Sequence, residues 1–332
     1  MEVGIYLDLR NPPAWRQDPG RLYAFTLELC EEAERLGIDS IWVTEHHLFD
    51  DGYLPQPLTF AAAIAARTQR VRIGTAVLLA PLHAAVEIAE QAAVVDLVSG
   101  GRLELGLGAG YRVPEFELFG ADLERRYAVT DERVRELRTL WDEGRVTPAP
   151  VQPRVPIWLG YNGPQGARRA GRLGEGLLSL SPQLLEPYRE GLLSAGHDAA
   201  DARMSGVFSA WATLDPERDW PIVAEHIAYQ LDSYRRHMVE GTDAPAPRPV
   251  DVNRVVAREP GRVLGSFGYG TPAEVAAQVE ARVAGLPVET VFFWASVGGM
   301  PEEMTRTGVE VIATHLAPLV REGHPTSPPP SA

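Results

Sequence analysis

Val71-Arg-Ile-Gly-Thr-Ala-Val-Leu-Leu79 is an apolar, β-branched run too continuous for a strand with one solvated face, so it predicts a strand buried on both sides. Such strands belong to parallel sheets covered by helices, which makes the flanking segments decisive. Before it, Ser40 to Thr44 reads as a strand and Thr59 to Arg67 as the helix joining the two. After it, Val86, Ala89, Ala93 and Leu97 space a helical stripe that Gly100-Gly101 closes, and Arg102 to Gly108 reads as the next strand. Glu2 to Asp8 is a short apolar strand. Asp18-Pro19 then starts a helix whose apolar face is Leu22, Phe25, Leu29, Ala33 and Leu36 and whose stop is Gly37. Four strand-helix units fill the first 145 residues.

Beyond a Pro-rich break at Pro148 to Pro156, strands are expected at Ile157 to Gly160, Gly176 to Leu180, Gly206 to Ala212 and Thr290 to Ala295. Helices are expected at Pro164 to Leu173, Trp220 to Val239, Pro272 to Ala284 and Pro301 to Leu319. Alternating strands and helices imply an α/β protein with a parallel sheet. A total of eight strands favours closure into a (β/α)8 TIM barrel with loop insertions over an open doubly wound sheet. No composition shift marks a second domain, so residues 1–323 are read as one barrel domain. Gly241 to Arg262, rich in proline and charge and without periodicity, is the expected mobile lid, a disordered insertion being the alternative. Residues 324–332, with four prolines, are the expected flexible tail.

The 332 residues are 45% hydrophobic and 23% charged, which excludes collagen-like, disordered and disulfide-scaffold classes. A formal charge of −14 argues against a nucleic-acid partner. All 31 basic residues are arginine, which excludes chemistries that need a lysine amine, such as P-loop phosphate transfer, pyridoxal aldimines and Schiff-base aldolases. The lone Cys30 cannot form an intrachain disulfide, and its place on an amphipathic helix predicts a buried structural thiol. The longest apolar stretch, Leu58 to Ala66, is far short of a bilayer span, and the first residues lack a signal-peptide pattern. A cytoplasmic location without a membrane partner is expected.

In a parallel barrel, reactive groups gather where the strands end. After Ile41-Trp42-Val43 stand Thr44, Glu45, His46 and His47, then Asp50 and Asp51. Successive side chains of an extended segment diverge, so His46 and His47 are not expected to share an ion, and neither His-x-His nor His-Glu-x-x-His occurs. No metal site is assigned; metal-dependent hydrolysis and plain hydrogen bonding at the rim are the rivals. Gly106-Leu-Gly-Ala-Gly-Tyr111 imitates a dinucleotide fingerprint, but its first glycines fall inside the strand, and Arg112 to Gly120, with Pro114, is not expected to be helical. Glycine there lets a flat ligand lie against backbone. Gly160-Tyr-Asn-Gly-Pro164 is a better anion site, because the strand ends in a glycine turn and Pro164 begins a helix with free amides. Arg168, Arg169 and Arg172 further along either raise the local potential or form a solvated face.

Taken in order, these segments form a pattern: Trp42-Val-Thr-Glu-His-His47, Arg72-Ile-Gly-Thr-Ala-Val77 with Pro81-Leu-His83, Glu90, and Asp96-Leu-Val-Ser-Gly-Gly-Arg102. It continues through Gly106 to Gly110, Glu115-Phe116, Phe119-Gly120, Pro156-Ile-Trp-Leu-Gly160, Ala170-Gly-Arg-Leu-Gly-Glu-Gly176 and Gly298-Gly-Met-Pro301. The series resembles the bacterial luciferase-like family of flavin- and deazaflavin-dependent oxidoreductases over nearly the whole chain. The resemblance implies a barrel that binds reduced flavin at its C-terminal face, with His46 catalytic and Glu45 beside it orienting or charging the imidazole. It implies a non-proline cis peptide at Ala76-Val77 against the isoalloxazine ring, the backbone of Ala109 and Gly110 along that ring, and the turn Gly160, Tyr161, Asn162 and Gly163 receiving the phosphate.

The activity so implied is an FMN-dependent monooxygenase, which takes reduced FMN from a separate flavin reductase and oxygenates a small organic substrate with O2 through a flavin hydroperoxide shielded from water. A deazaflavin (F420)-dependent oxidoreductase performing hydride transfer is the alternative, and a non-catalytic flavin-binding partner subunit is a second. Many FMN-using relatives carry arginine at the position of Ala109, and luciferase's reactive cysteine is Gly108 here, so light emission is not implied. Deazaflavin enzymes commonly show Asp-His at the end of strand two and Gly-x-Gly-Ala-Gly after strand four. This chain mixes the two signatures, and Glu45-His46-His47 favours FMN. The small residues Ala61 to Ala63 and Ala92-Ala93 fit the family habit of forming a homodimer through helices two and three, or burial within one barrel. Substrate-shaping side chains are expected at Tyr6, Asp8 and Trp294.

Overall fold

The structure, a computed structural model, describes residues 1–257 and 267–323. The expected lid therefore runs partly, and the expected tail wholly, outside the described residues. The strands are β1 (Glu2–Leu7), β2 (Ser40–Val43), β3 (Arg72–Thr75), β4 (Leu78–Leu79), β5 (Leu103–Gly108), β6 (Ile157–Leu159), β7 (Gly176–Leu178), β8 (Met204–Val207), β9 (Ala210–Ala212), β10 (Gly268–Gly270) and β11 (Val288–Trp294). Their order around the sheet is β3-β2-β1-β11-β8-β7-β6-β5-β4, and β3 also pairs with β5, which closes the circle. Because β3 and β4 share β5 as partner, they are two halves of one wall position, and the barrel is eight-stranded and parallel. The helices outside it are α1 (Pro19–Leu36), α2 (Pro57–Arg67), α3 (Ala85–Ser99), α4 (Val113–Phe119), α5 (Arg126–Asp142), α6 (Gly163–Leu173), α7 (Leu185–Ser194), α8 (Pro216–Val239), α9 (Val252–Val256), α10 (Pro272–Val283), α11 (Glu302–Val311) and α12 (Ala317–Gly323). None of the described helices is long and apolar enough to cross a membrane.

The barrel interior is filled by pairing large with small. Tyr6, Trp42, Trp158, Phe292 and Trp294 form one aromatic cluster. Trp42 stands beside Gly74 on the neighbouring strand and Trp158 beside Gly176, and a Cβ on either glycine would strike the indole. Facing outward, Ile5, Ile41, Ile73 and Leu105 meet the apolar faces of the helices, with Cys30 buried on α1 as expected. Arg102 ties helix ends to strand: its Nε donates to Ser99 O (2.6 Å), Nη1 to Thr68 Oγ1 (3.0 Å) and Val71 O (2.7 Å), and Nη2 to Ala65 O (3.1 Å) and Thr68 O (2.9 Å). Thr75 Oγ1 donates to Gly106 O (2.7 Å) and accepts from Gly106 N (2.9 Å). A Cβ at 106 would overlap Thr75 O, so Gly106→Ala is expected to cost about 1–3 kcal/mol, read as a lowered Tm in thermal unfolding.

Several expectations are corrected. The run Val71 to Leu79 is interrupted: Ala76 and Val77 leave the ladder between β3 and β4, and their peptide bond is cis. Gly206 to Ala212 is two strands, β8 in the barrel and β9 paired with β10 in a separate two-stranded sheet. The buried face of α3 is Ala85, Ile88, Ala89, Ala92 and Ala93, whereas Val86 and Leu97 are exposed. That helix carries apolar residues on its solvent side as well as on its buried one, so spacing alone cannot say which stripe faces inward. Arg112 to Gly120 is helical after all. Pro114 lies in the first turn of α4, where its missing N–H costs no intrahelical bond. Helix α8 begins four residues earlier than expected, capped by Asp215 accepting from Arg218 N. The last helix contains one π turn at Ile312–Leu316, and the irregular stretch after Gly241 contains the short α9.

Candidate active site

A cavity of about 540 Å³, within the range of small-molecule sites, lies at the C-terminal ends of the strands. One wall is backbone: Gly108, Ala109, Gly110 and Gly160 line it, together with Ala76 and Val77. A Cβ at 108 or 160 would overlap the Val77 side chain, so the glycines are what let residues 76 and 77 enter the cavity.

The segment after β2 sends its histidines to opposite sides. His46 lines the cavity, its Nδ1 lies 2.8 Å from Glu115 Oε1, and its ring stacks on Phe49 at 4.8 Å. The same Glu115 oxygen accepts from His47 N (2.9 Å) and lies 3.5 Å from Nη1 of the wholly buried Arg112. A carboxylate accepts from an N–H, so the network assigns the neutral ring's proton to Nδ1 and leaves a lone pair on Nε2. Nε2 faces the Tyr111 hydroxyl at 3.4 Å.

Glu45 does not orient His46, contrary to expectation. Its Oε1 is 2.9 Å from His47 Nε2 and 2.7 Å from His83 Nε2, and its Oε2 accepts from Leu79 N (2.5 Å). Glu115 takes the orienting role because α4 carries it back beneath the end of β2. Burial works against the Glu45 carboxylate, but the bonds from His47, His83 and Leu79 outweigh it, and its pKa lies below the usual glutamate value. Burial likewise lowers the pKa of His83, and the Glu45 carboxylate more than restores it, to above the usual histidine value. The facing atoms of Glu45, His47 and His83 lie within 4.8 Å of one another, a juxtaposition hidden from local motifs because His83 follows a different strand.

The sign of the pH dependence follows. Stabilisation from Glu45 is complete above its unfolded pKa of about 4.3 and is lost as pH falls through its lower folded value. That from His83 is complete below its unfolded pKa of about 6.5 and is lost as pH rises through its higher folded value. The Tm difference between the wild type and His83→Gln is thus expected to be widest between about pH 4.3 and 6.5 and to shrink as pH rises above that window. A difference flat across that range would remove the ion pair from the account.

At the far end of the cavity, Asn162 precedes the first turn of α6, and no side chain caps that turn. Its free amides suit an anion. Glu45, His46, Ala76, Val77, Ala109, Gly110, Gly160 and Asn162 therefore share one cavity. Tyr161 does not line it: its ring is buried in the core and its hydroxyl donates to Asp131 Oδ1 (2.7 Å). Gly163 starts α6 behind Asn162. Arg168 pairs with Glu190 and Arg169 with Asp131, so neither is free for a ligand. Of the substrate-shaping candidates Tyr6 is in the wall, whereas Asp8 pairs with Arg10 and Trp294 packs against Tyr6 within the barrel. Sequence reasoning missed Tyr53, Tyr111, Tyr127, Tyr234 and Met238, which also line the cavity. Tyr234 and Met238 sit one turn apart on α8, far in the chain from the strand ends that Tyr53, Tyr111 and Tyr127 follow.

Residues 1–290 match the luciferase-like monooxygenase family. The chain belongs to that family. Among curated relatives, it is similar to an F420-dependent glucose-6-phosphate dehydrogenase of Amycolatopsis mediterranei, 32% identical over 210 residues, which are 57% of this chain and 63% of the relative. It is also similar to the 4-hydroxyprotoasukamycin monooxygenase of Streptomyces nodosus subsp. asukaensis, 31% identical over 262 residues, 73% of this chain and 68% of the relative. Among solved structures, the monooxygenase RslO1 of Streptomyces bottropensis superposes with a TM-score of 0.76 at 26% identity, covering 96% of this chain and 99% of that one. The matched region spans roughly six-tenths of the glucose-6-phosphate dehydrogenase relatives' length. Family members thus include both monooxygenases and deazaflavin-dependent dehydrogenases.

Proposed function

We propose that this luciferase-like barrel is a monooxygenase that holds reduced FMN in the rim cavity and oxygenates a small organic substrate with O2, the reduced FMN being delivered by a separate flavin reductase. The observation that carries the reading is the meeting, in one cavity, of the glycine-lined wall, the His46 ring and Asn162 at the uncapped start of α6. The residues present fit the group: a flat tricycle needs a wall free of side chains, and a phosphate needs free amides at a helix start. Bound there in its reduced form, FMN supplies the electron pair that oxygen chemistry requires. The chain's own part is acid-base and spatial. His46 takes up or returns a proton at Nε2, Glu115 holds the ring through Nδ1, and the aromatic wall excludes water. Ionised Glu45, bonded to Leu79 N, braces the turn that carries Val77 into the cavity. The similarity to two monooxygenases, each matched over more than two thirds of both chains, supports oxygen chemistry.

Ala109 and the dehydrogenase relatives favour a second reading, hydride transfer with deazaflavin F420, because the arginine that helps hold the FMN phosphate in many relatives has no counterpart at that position. Titrating the apoprotein with reduced FMN, oxidised FMN and F420, then admitting O2, separates the two. Tight binding of reduced FMN with substrate-dependent O2 consumption is expected. Tighter binding of F420, with turnover indifferent to O2, would move the assignment to the second reading. Flavin binding without turnover would leave a non-catalytic subunit. We also infer a homodimer through α2 and α3, since Val86, Val94, Leu97 and Val98 stand exposed on the outer face of α3. Sedimentation of a monomer at micromolar concentration would refute it.

A further inference from the structure

In the cavity that the glycine wall lines, two phenols have no task in the reading above. Tyr53 follows β2, Tyr234 lies on α8, and their hydroxyl oxygens are 2.9 Å apart. Two hydroxyls carry two protons and their mutual bond uses one. No described residue is hydrogen-bonded as acceptor of the other, which leaves one O–H to be directed into the cavity. Burial pushes both phenols above tyrosine's ordinary range, so both keep their protons.

Arg10 makes the pair rigid. Its guanidinium carbon lies 4.7 Å from the centre of the Tyr53 ring and 4.4 Å from that of Tyr234, and its Nη1 donates to Asp51 Oδ2 (2.9 Å) and Ser233 Oγ (2.8 Å). The His46 ring stands 4.9 Å from Tyr53 and 6.4 Å from Tyr234, so a group bonded to the phenols abuts the imidazole. No arginine lines the cavity among the described residues, and its one acidic side chain, Glu45, is already bonded to His47, His83 and Leu79. An anionic substrate would lose its hydration there without a counter-charge.

We propose that Tyr53 and Tyr234 form a hydrogen-bond donor site for the oxygen of an uncharged ring compound, a cyclic ketone in the first instance, and thereby set the substrate class. The proposal rests on the cavity being the substrate site of the oxidoreductase argued above. The ring preference comes from Tyr6, Tyr111 and Tyr127, which line the cavity with aromatic side chains suited to a flat apolar body.

The test is isothermal titration of the full chain with α-tetralone and with tetralin, which lacks only the carbonyl oxygen, in inorganic phosphate buffer that fills anion positions at helix starts. α-Tetralone is expected to bind wild type about tenfold tighter than tetralin, and the ratio is expected to fall towards one in Tyr53→Phe/Tyr234→Phe. A ratio unchanged in the double variant overturns the proposal, as does tighter binding of 1-naphthoate than of α-tetralone to wild type. Parallel titration with reduced FMN reports on folding of the variant and on the flavin reading separately. A ratio already near one in wild type, with FMN binding intact, sinks the phenol pair alone, whereas the expected ratio without FMN binding in wild type sinks the flavin reading alone.

Discussion

His46→Ala is expected to lose about 10²-fold or more in turnover while holding reduced FMN almost as tightly as wild type. The ring is the imidazole in the cavity wall, and its polar contacts are with Glu115 and Tyr111. The features that suit a flavin are elsewhere, in the backbone at Gly108 to Gly110 and Gly160 and in the uncapped start of α6. Binding and chemistry are therefore separable by this one substitution. Flavin fluorescence titration reads the first, and substrate-dependent O2 consumption with a supplying reductase reads the second. Equal turnover would remove His46 from the chemistry, and loss of flavin affinity would recast it as a cofactor-holding residue.

Glu115→Gln has the second largest expected effect, through a residue that never touches the cavity. Glutamine keeps the shape and can still accept from His46 Nδ1, but the bond loses its carboxylate acceptor, and Arg112 is left with only the half-exposed Glu240 as a carboxylate partner. A fall in kcat of about tenfold or more is expected, with KM and flavin affinity near wild type, and a loss of stability of about 1–3 kcal/mol. The split is the diagnostic. A merely architectural Glu115 would lower Tm and the yield of active enzyme yet leave kcat per flavin-loaded molecule unchanged, and Glu115→Asp would then do no better than glutamine.

The barrel was legible because its strands are short apolar runs punctuated by glycine and capped helices, signals that act over a few residues. Residues 44 to 47 and the turn at 160 to 163 stood out for the same reason, as polar or glycine groups at the ends of such runs. What failed was whatever depends on partners distant in the chain. Pro114 looks like a helix breaker unless one knows that it falls in a first turn, and missing α4 meant assigning the support of His46 to its sequence neighbour Glu45 rather than to Glu115. Tyr53 and Tyr234 are 181 residues apart and meet only because α8 lies over the barrel mouth. Tyr161 shows the opposite error, a residue placed at the site by adjacency whose ring the core claims instead.

The break in the wall between β3 and β4 has a practical use. Where the strand departs from its neighbours, the side chain of Val77 projects between Gly108 and Gly160 and belongs to no repeating ladder. Trimming it to alanine would enlarge the chamber beside Gly108 and Gly160 while every rung of the barrel keeps its partner. Position 77 is accordingly the place where a protein engineer could widen what this scaffold accepts without first having to rescue its folding.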